Sequence, residues 1–199
     1  TCPMARPHGT AHPTAPWPGS TGRPGCTQPA CVQYAEGMDV GYRWYDARNI
    51  TPLFEFGYGL SYTSFAFSHL SISPLVKGGA ATVSATVTNT GSRAGADVAQ
   101  LYVTAPSAAG EPPKQLKGFS RVDLQPGQST TVTFPLTETD LHYWNADTNG
   151  WATAIGDYTL SVGDSSRKLP LSGTLSVAAA QLGQPVTIEL DSADVIHSF

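Results

Sequence analysis

The stretch TVSATVTNTG, residues 82–91, alternates apolar and polar side chains and then ends in a turn signal. Val83, Ala85 and Val87 fall on one face of an extended chain, because successive side chains of a strand point to opposite sides. The Asn89-Thr90-Gly91 ending suits a tight turn, since Asn tolerates and Gly readily adopts a positive φ. This pattern predicts a half-buried β-strand.

Comparable stretches recur along the chain after the first 60 residues. They fall within residues 65–72, 98–104, 116–124, 132–134, 158–162 and 169–177. Residues 65–72 are predicted to form an edge strand that shifts face near Ser68. Residues 141–144 are predicted to form a short helical turn capped by Thr137 or Thr139. Seven or eight short strands without strand-helix alternation predict an all-β fold, an antiparallel β-sandwich.

The composition excludes several functional classes. Among 199 residues, 20 are Gly, 16 are Pro and only 13% are charged, which argues against a coiled coil. A net charge of −4 gives no electrostatic support for binding nucleic acid. No apolar run approaches the roughly 18 residues that would indicate a membrane span. We therefore predict no nucleic-acid partner and no membrane partner.

Three cysteines, Cys2, Cys26 and Cys31, lie near the start of the sequence. Together with His8 and His12 they could be imagined as zinc ligands, but structural zinc sites usually have two-residue ligand spacings. Unpaired thiols are the preferred interpretation, with a small disulfide loop between Cys26 and Cys31 as the alternative. We predict no metal site and no cofactor.

The chain divides into four parts by composition. Residues 1–31 are rich in Pro and Gly and are predicted to be disordered. Residues 32–63 carry many aromatic side chains jointed by glycines and are predicted to be an extended segment that packs on another surface. Residues 64–177 hold the sandwich, and residues 178–199 form a linker and tail. Without its partner surface, the aromatic segment is expected to expose an apolar patch that promotes association.

Two motifs in the aromatic segment resemble a known family. They are EGMDVGYRWYD at residues 36–46 and PLFEFGYGLSY at residues 52–62. Both look like the junction that closes the second catalytic domain of glycoside hydrolase family 3, the β-glucosidase and β-xylosidase family. The strands then resemble that family's C-terminal fibronectin type III-like domain, through VTNTG at 87–91, GADVAQLYV at 95–103, PKQLKGF at 113–119, LQPG at 124–127 and GDYTLSVG at 156–163. The resemblance covers residues 32–177 and implies an immunoglobulin- or fibronectin type III-like sandwich.

The resemblance implies part of an enzyme that hydrolyses O-glycosidic bonds. In this family the nucleophilic Asp belongs to a barrel-like first domain and the acid/base Glu to a second α/β domain, both upstream of the junction. The chain is therefore expected to be a C-terminal structural and docking part, inactive alone, whose partners are the catalytic domains. The substrate class favours a secreted parent enzyme. A free-standing carbohydrate-binding or adhesion module and a non-functional gene remnant are the alternatives.

Hydrolysis of a glycosidic bond needs two carboxyl groups held across that bond. The carboxylates of the aromatic segment are Glu36, Asp39, Asp46 and Glu55. Glu36 is the strongest candidate for a catalytic carboxylate because it lies in a family motif, but the resemblance gives it no catalytic role. An ion pair with Arg43 or Arg48, or a hydrogen bond at the junction, is expected instead. No catalytic residue is predicted.

Other candidate residues have structural interpretations. Ser61 lacks the second glycine of a nucleophile elbow, and His69 and His142 are isolated. The aromatic side chains that could stack on a sugar are Tyr102, Tyr143, Trp144 and Trp151. Trp144 and Trp151 flank a loop that ends in Asn149-Gly150, so we expect them to pair across a hairpin and cover one end of the sandwich. Loop 106–114 is the part expected to reach the edge of a neighbouring catalytic cleft.

The end of the chain carries a second, shorter resemblance. PVTIELDSADVIHSF, residues 185–199, is similar to the opening of the copper-binding domain of cytochrome c oxidase subunit II. In that domain the position matching His197 is a copper ligand. One imidazole cannot make such a site, so we expect no copper binding here.

Overall fold

The computed structural model describes residues 36–182, so the cysteines, the predicted disordered segment and His197 lie outside the described residues. The regular elements are the helix α1 (Tyr42–Ala47) and the strands β1 (Phe65–Ile72), β2 (Ala80–Asn89), β3 (Gly95–Thr104), β4 (Gln115–Leu124), β5 (Ser129–Thr137), β6 (His142–Asn145), β7 (Gly150–Thr153), β8 (Gly156–Gly163) and β9 (Leu171–Val177). Short 3₁₀ turns occupy Ser107–Ala109, Glu138–Leu141 and Ala179–Gln181.

The strands form two antiparallel sheets and a separate hairpin. One sheet has the order β1-β2-β5, the other has the order β4-β3-β8-β9, and β6 pairs with β7. Val83 lies opposite Phe134 and Ala85 lies opposite Val132, and all four side chains are buried between the sheets. The predicted all-β antiparallel sandwich is confirmed, and the core is made by the alternation seen in residues 82–91.

The turn signal after β2 also acts as a tether. Asn89 is fully buried, and its side-chain nitrogen donates to the backbone carbonyls of Arg93 at 2.7 Å and Leu124 at 3.0 Å. Its side-chain oxygen accepts from the Gly91 N–H at 3.0 Å and from the Thr63 hydroxyl at 2.6 Å. One side chain thus fixes the β2–β3 loop to the end of β4 and to the residues that precede β1.

The first strand is irregular where the sequence predicted it. The pairing of β1 with β2 changes register between Ser68 and Ser71, and His69 adopts a left-handed φ of 53°. A bulge of this kind lets one strand present different faces on its two sides. The predicted change of face near Ser68 is confirmed.

Two local predictions are wrong. Residues 141–144 do not form a helical turn: the turn is Glu138–Leu141, and β6 begins at His142. The Asp140 carboxylate accepts hydrogen bonds from the backbone N–H and the hydroxyl of Thr137, which places the turn earlier. The aromatic segment is also not wholly extended, because it contains α1. No helix within residues 36–182 has the length and apolarity needed to span a bilayer.

Candidate functional site

The junction segment, residues 36–63, packs on the outer face of the four-stranded sheet. Tyr42 of α1 stacks on Phe56 with 5.2 Å between ring centroids and meets Tyr102 edge-on at 5.7 Å. The Tyr42 phenol oxygen accepts a hydrogen bond from the Leu116 backbone N–H at 2.8 Å. Tyr102 is buried although strand alternation points it away from the sandwich core. The junction segment therefore adds a third layer over this sheet.

A polar network lies beneath this layer. The Tyr102 hydroxyl donates to the side-chain oxygen of Gln100 at 2.7 Å, and the Gln100 nitrogen donates to the Asp164 carbonyl at 2.7 Å. Burial raises the pKa of Tyr102, so the phenol stays a neutral donor. Gly57, at φ 85°, comes so close to Gln100 that an added Cβ would lie 2.2 Å from the amide nitrogen. A side chain at this position would therefore displace the Gln100 amide from its hydrogen bonds with Tyr102 and Asp164.

An ion-pair cluster fastens α1 to two loops of the sandwich. The Asp46 side chain is only 8% exposed, and its oxygens lie 2.8 Å from Lys114 Nζ and 3.1 Å from Arg167 Nη2. The same Arg167 nitrogen donates to the Ile50 carbonyl at 2.8 Å. Lys114 precedes β4 and Arg167 follows β8, so Asp46 joins three separate stretches of the chain.

The ion pair expected for Glu36 does not form. Within the described residues, Glu36 pairs with neither Arg43 nor Arg48, and the Arg48 guanidinium lies 5.2 Å above the Trp44 ring instead. Asp46 forms the ion pairs of this segment instead, because its place on α1 brings its side chain against Lys114 and Arg167.

The other face of the junction segment is exposed and apolar. Leu53, Leu60 and Tyr62 are 90%, 91% and 94% exposed, and the Phe54 and Tyr58 rings contact each other at 5.1 Å while remaining largely in solvent. Met38, Val40 and Ile50 are further exposed apolar residues of the junction segment. We call these residues the outer face of the junction segment. An apolar surface of this extent is typical of an interaction site.

A cleft of about 280 Å³ lies between the junction segment and the sandwich. Its lining includes Glu55 from the junction segment, Asp97 from β3 and Asp164 from the loop after β8, together with the cations Arg121 and Lys168. Sequence reasoning singled out Glu55 but missed Asp97 and Asp164. No local pattern marks those two residues, because the cleft exists only once the third layer is in place.

The electrostatics of the cleft are dominated by burial and by one ion pair. Burial, with a further contribution from the negative charge of Asp164, raises the pKa of Asp97. The Asp97 carboxylate accepts the Val98 backbone N–H at 2.8 Å. The hydrogen bond from Lys168 to Asp164 raises the pKa of Lys168, so this amine carries a proton at neutral pH.

Chemically, a carboxyl group whose pKa is raised by burial can act as a general acid. In this cleft, however, the carboxylates have structural partners. Ser165 donates to Glu55 at 3.2 Å, and the neighbouring Ser166 N–H donates to the Phe56 carbonyl at 2.8 Å. These contacts join the junction segment to the loop after β8. Within residues 36–182, no group of three or more His, Cys, Asp or Glu side chains is placed to hold a metal ion.

Comparison with known proteins agrees with this architecture. Residues 97–166 match the fibronectin type III-like domain family. The chain is 44% identical over 169 residues to β-glucosidase cel3A of Pyricularia oryzae, covering 75% of this chain and 23% of that protein. A probable β-glucosidase D of Aspergillus flavus is 44% identical over 163 residues, covering 73% of this chain and 22% of that protein.

Solved structures give the same result. The β-D-glucoside glucohydrolase of Trichoderma reesei is 44% identical with a TM-score of 0.68, over 73% of this chain and 23% of that one. A GH3 β-glucosidase of Bifidobacterium adolescentis is 37% identical with a TM-score of 0.70, over 80% of this chain and 23% of that one. The chain carries a fibronectin type III-like domain of the glycoside hydrolase family 3 type. It spans less than a quarter of the length of these β-glucosidase relatives.

Of the remaining candidates, Ser61 lines the cleft of this fibronectin type III-like domain, whereas His69, Trp144 and Trp151 lie outside it. Ser61 is exposed and accepts the Thr63 N–H, and His69 lies in the β1 bulge with its ring nitrogen 3.0 Å from the Ser68 hydroxyl. Trp144 lies directly opposite Trp151 in the β6–β7 hairpin, with edge-on rings 5.4 Å apart. The predicted tryptophan pair is confirmed.

Proposed function

We propose that this chain serves as a docking and structural part of a β-glucosidase-type glycoside hydrolase, in which the outer face of the junction segment packs on the catalytic part. The observation that carries the proposal is the two-sided junction segment. Its inner side is fastened to the sandwich by Tyr42 and Asp46, whereas its outer side presents large apolar residues to solvent. A segment that is fixed on one side and exposes large apolar side chains on the other is suited to pack against a second domain.

Intramolecular domain contacts of this kind need not be large. Each of the most exposed side chains, Leu53, Leu60 and Tyr62, has nearly all of its apolar surface available. Burying one such side chain contributes about 1.5–3 kcal/mol. Several such side chains together would stabilise a domain interface. The entropy cost of association is lower there, because both domains belong to one polypeptide.

We further propose that the chain supplies no catalytic carboxylate. Two carboxylates of the cleft have structural partners. Glu55 accepts a hydrogen bond from Ser165 and so joins the junction segment to the sandwich, and Asp164 pairs with Lys168 within the loop after β8. The test is the full chain, incubated with aryl β-glucosides and β-xylosides. We expect no hydrolysis above the uncatalysed rate. Turnover that is lost in Glu36→Gln or in Asp97→Asn would overturn the proposal.

Docking can be tested in a chimera. The matching segment of the Trichoderma reesei β-D-glucoside glucohydrolase, which is 44% identical, would be replaced by residues 36–177 of this chain. We expect a folded chimera that hydrolyses its aryl β-glucoside. Charging the outer face with Leu53→Asp and Leu60→Asp should lower its melting temperature by about 5 °C or more.

The matched control for the chimera is Val76→Asp. Val76 is also exposed, but it lies in the β1–β2 loop, away from the junction segment. We expect it to change the melting temperature by less than about 1 °C. Equal effects of the two substitution sets would contradict docking through the outer face. Secretion of the parent enzyme stays a proposal based on its substrate class.

A further inference from the structure

We propose that the β6–β7 hairpin carries a carbohydrate-stacking platform, formed by His142, Trp144 and Trp151, for a neutral polysaccharide with flat pyranose faces. This surface lies outside the junction segment and its cleft. It would add substrate attachment to the structural role proposed above. The proposal depends on which hairpin side chains the sandwich uses and which it leaves in solvent.

The hairpin has one face toward the core and one face toward solvent. Tyr143 packs against the hydrophobic core, and its cross-strand partner Ala152 shares that face. Strand alternation therefore places His142, Trp144 and Trp151 on the opposite face. Trp144 and Trp151 are 49% and 50% exposed. Since Tyr143 covers the sandwich end that the tryptophans were expected to cover, the indoles retain surface that the core does not need.

The three rings are held in fixed relative positions. Trp144 meets Trp151 edge-on at 5.4 Å and 84°, while His142 lies nearly parallel to Trp151 at 6.5 Å and 21°. Each ring therefore limits the rotamers of its neighbour, and less entropy is lost when a ligand orders them. Electron-rich ring faces attract the slightly positive C–H groups that line one side of a pyranose. A rigid indole face is thus suited to stacking on a sugar.

The size of the platform favours a sugar over a protein. A half-exposed tryptophan offers roughly 100 Å² of surface, so the three rings together offer about 250 Å². A specific protein interface needs about 800 Å² on each partner. One or two sugar rings would fill the platform, whereas a protein partner would leave most of its interface unsupported.

The charge of the hairpin favours a neutral ligand. Asp147 is its single Asp, Glu, Lys or Arg residue between 142 and 153. Asn145 accepts the N–H groups of Asp147 and Thr148 at 2.9 and 3.3 Å, which fixes the loop beside the tryptophans. The exposed Asp147 carboxylate is then placed to accept hydrogen bonds from sugar hydroxyls. The Asp147 carboxylate would repel a polyanionic polysaccharide, and a single negative charge offers little attraction to a polycationic one.

The test uses the full chain with microcrystalline cellulose, cellohexaose and laminarihexaose as probes, and binding is measured by depletion and by calorimetry. We expect saturable binding of at least one probe. Trp151→Ala should weaken that binding about tenfold or more, and Trp151→Phe, which keeps an aromatic face, should weaken it less. The matched control is Phe119→Ala, an exposed aromatic on β4, which should change affinity less than twofold.

Several results would overturn this proposal. One is that the wild-type chain, with a native melting transition, shows no saturable binding to any of the three probes. Another is that Trp151→Ala and Phe119→Ala lose the same amount of binding affinity. If Trp151→Ala unfolds, the affinity of Trp151→Phe is measured in its place. Unchanged affinity in the double variant Trp144→Leu with Trp151→Leu would count against a stacking role. Loss of chimera stability in Trp151→Phe would identify a protein contact and also overturn it. Failure of sugar binding leaves the docking proposal intact, because docking is measured separately in the chimera.

Discussion

Similar apolar residues are buried in the sandwich and exposed in the junction segment. Leu101 of β3 is fully buried between the two sheets, whereas Leu60 of the junction segment is almost fully exposed. Val83 and Val87 are likewise inaccessible, while Leu53 lies in solvent. The sandwich buries most of its large apolar side chains between its two sheets, whereas the junction segment leaves most of its large apolar side chains exposed.

This difference separates the residues that stabilise the fold from those of the proposed docking surface. The hydrophobic contribution to folding comes from the faces between the sheets, where alternation removes every second side chain from water. The junction segment adds polar and aromatic links to that body through Tyr42 and Asp46. Its outer face contributes little to the stability of this chain and is available to a second body.

The largest expected effect compares two leucines. Leu101→Ala should lower the free energy of unfolding by about 2–5 kcal/mol, because it leaves a cavity in a packed core. Leu60→Ala should change it by less than about 0.5 kcal/mol, because the side chain is already in water. Urea unfolding followed by tryptophan fluorescence measures both. Comparable losses in the two variants would mean that Leu60 packs within this chain.

The second test concerns the inner side of the junction segment. Asp46→Asn removes the negative charge that Lys114 and Arg167 share, and these cations keep some solvent contact. We therefore expect a loss of about 1–3 kcal/mol, below the range for a fully buried pair. Proteolysis within residues 36–63 should also become faster. Urea unfolding and timed digestion measure the two effects.

The matched control for Asp46→Asn is Asp123→Asn. Asp123 forms an ion pair with Arg121 in which both side chains are 65% exposed. Surface pairs of this kind contribute about 0–1 kcal/mol. If Asp123→Asn destabilised the chain as much as Asp46→Asn, the Asp46 cluster would have no special role in fastening α1.

The sandwich was predictable from sequence because its signals are local. Residues 82–91 show the alternation of β2, Ser68 marks the bulge of β1, and Trp144 and Trp151 flank the turn of their hairpin. In each case the spacing of side chains within one or two strands decides the structure. Long-range pairing then follows from the need to bury one face of every strand.

The helix α1 was not predictable in this way. It has six residues, lies after Gly41 with a left-handed φ of 60°, and has no side-chain cap. A helix this short is not stable alone. Tyr42 and Asp46 are four residues apart and so share one helix face, and that face meets Tyr102, Lys114 and Arg167. Tertiary contacts therefore decide its conformation.

The carboxylate cleft was missed for a related reason. Glu55, Asp97 and Asp164 belong to three distant stretches of the chain, and the packing of the junction segment brings them together. No spacing in the sequence encodes that meeting. The Glu138–Leu141 turn was misplaced by three residues because the bonds between Asp140 and Thr137, and not the apolar pattern of 141–144, decide where it begins.

A smaller effect is expected for association of the isolated chain. Because the outer face is apolar and exposed, the full chain should self-associate as its concentration rises. Leu53→Lys with Leu60→Lys should raise the dissociation constant about tenfold or more, which corresponds to about 1.4 kcal/mol. Sedimentation velocity over a hundredfold concentration range measures it, with Val76→Lys as control. A wild-type chain that stays monomeric throughout would contradict this expectation.

The smallest expected effect is the pH dependence contributed by Asp97, at the boundary between the two regions. Burial raises the pKa of this carboxyl group above its ordinary value of 3.8. The folded chain therefore binds the proton more tightly than the unfolded chain, so this group favours folding at low pH and that contribution is lost as pH rises through the folded pKa.

Asp97→Asn keeps an oxygen for the Val98 N–H and removes the cost of burying the charge. At pH 7 the variant should be more stable than wild type by less than about 1 kcal/mol, because the carboxyl group is only partly buried. Below the ordinary pKa the difference should disappear. Urea unfolding between pH 3 and pH 8 measures this difference directly. A variant less stable than wild type at pH 7 would show that the attraction between Asp97 and Lys168 outweighs burial, and that the cleft is held together by charge.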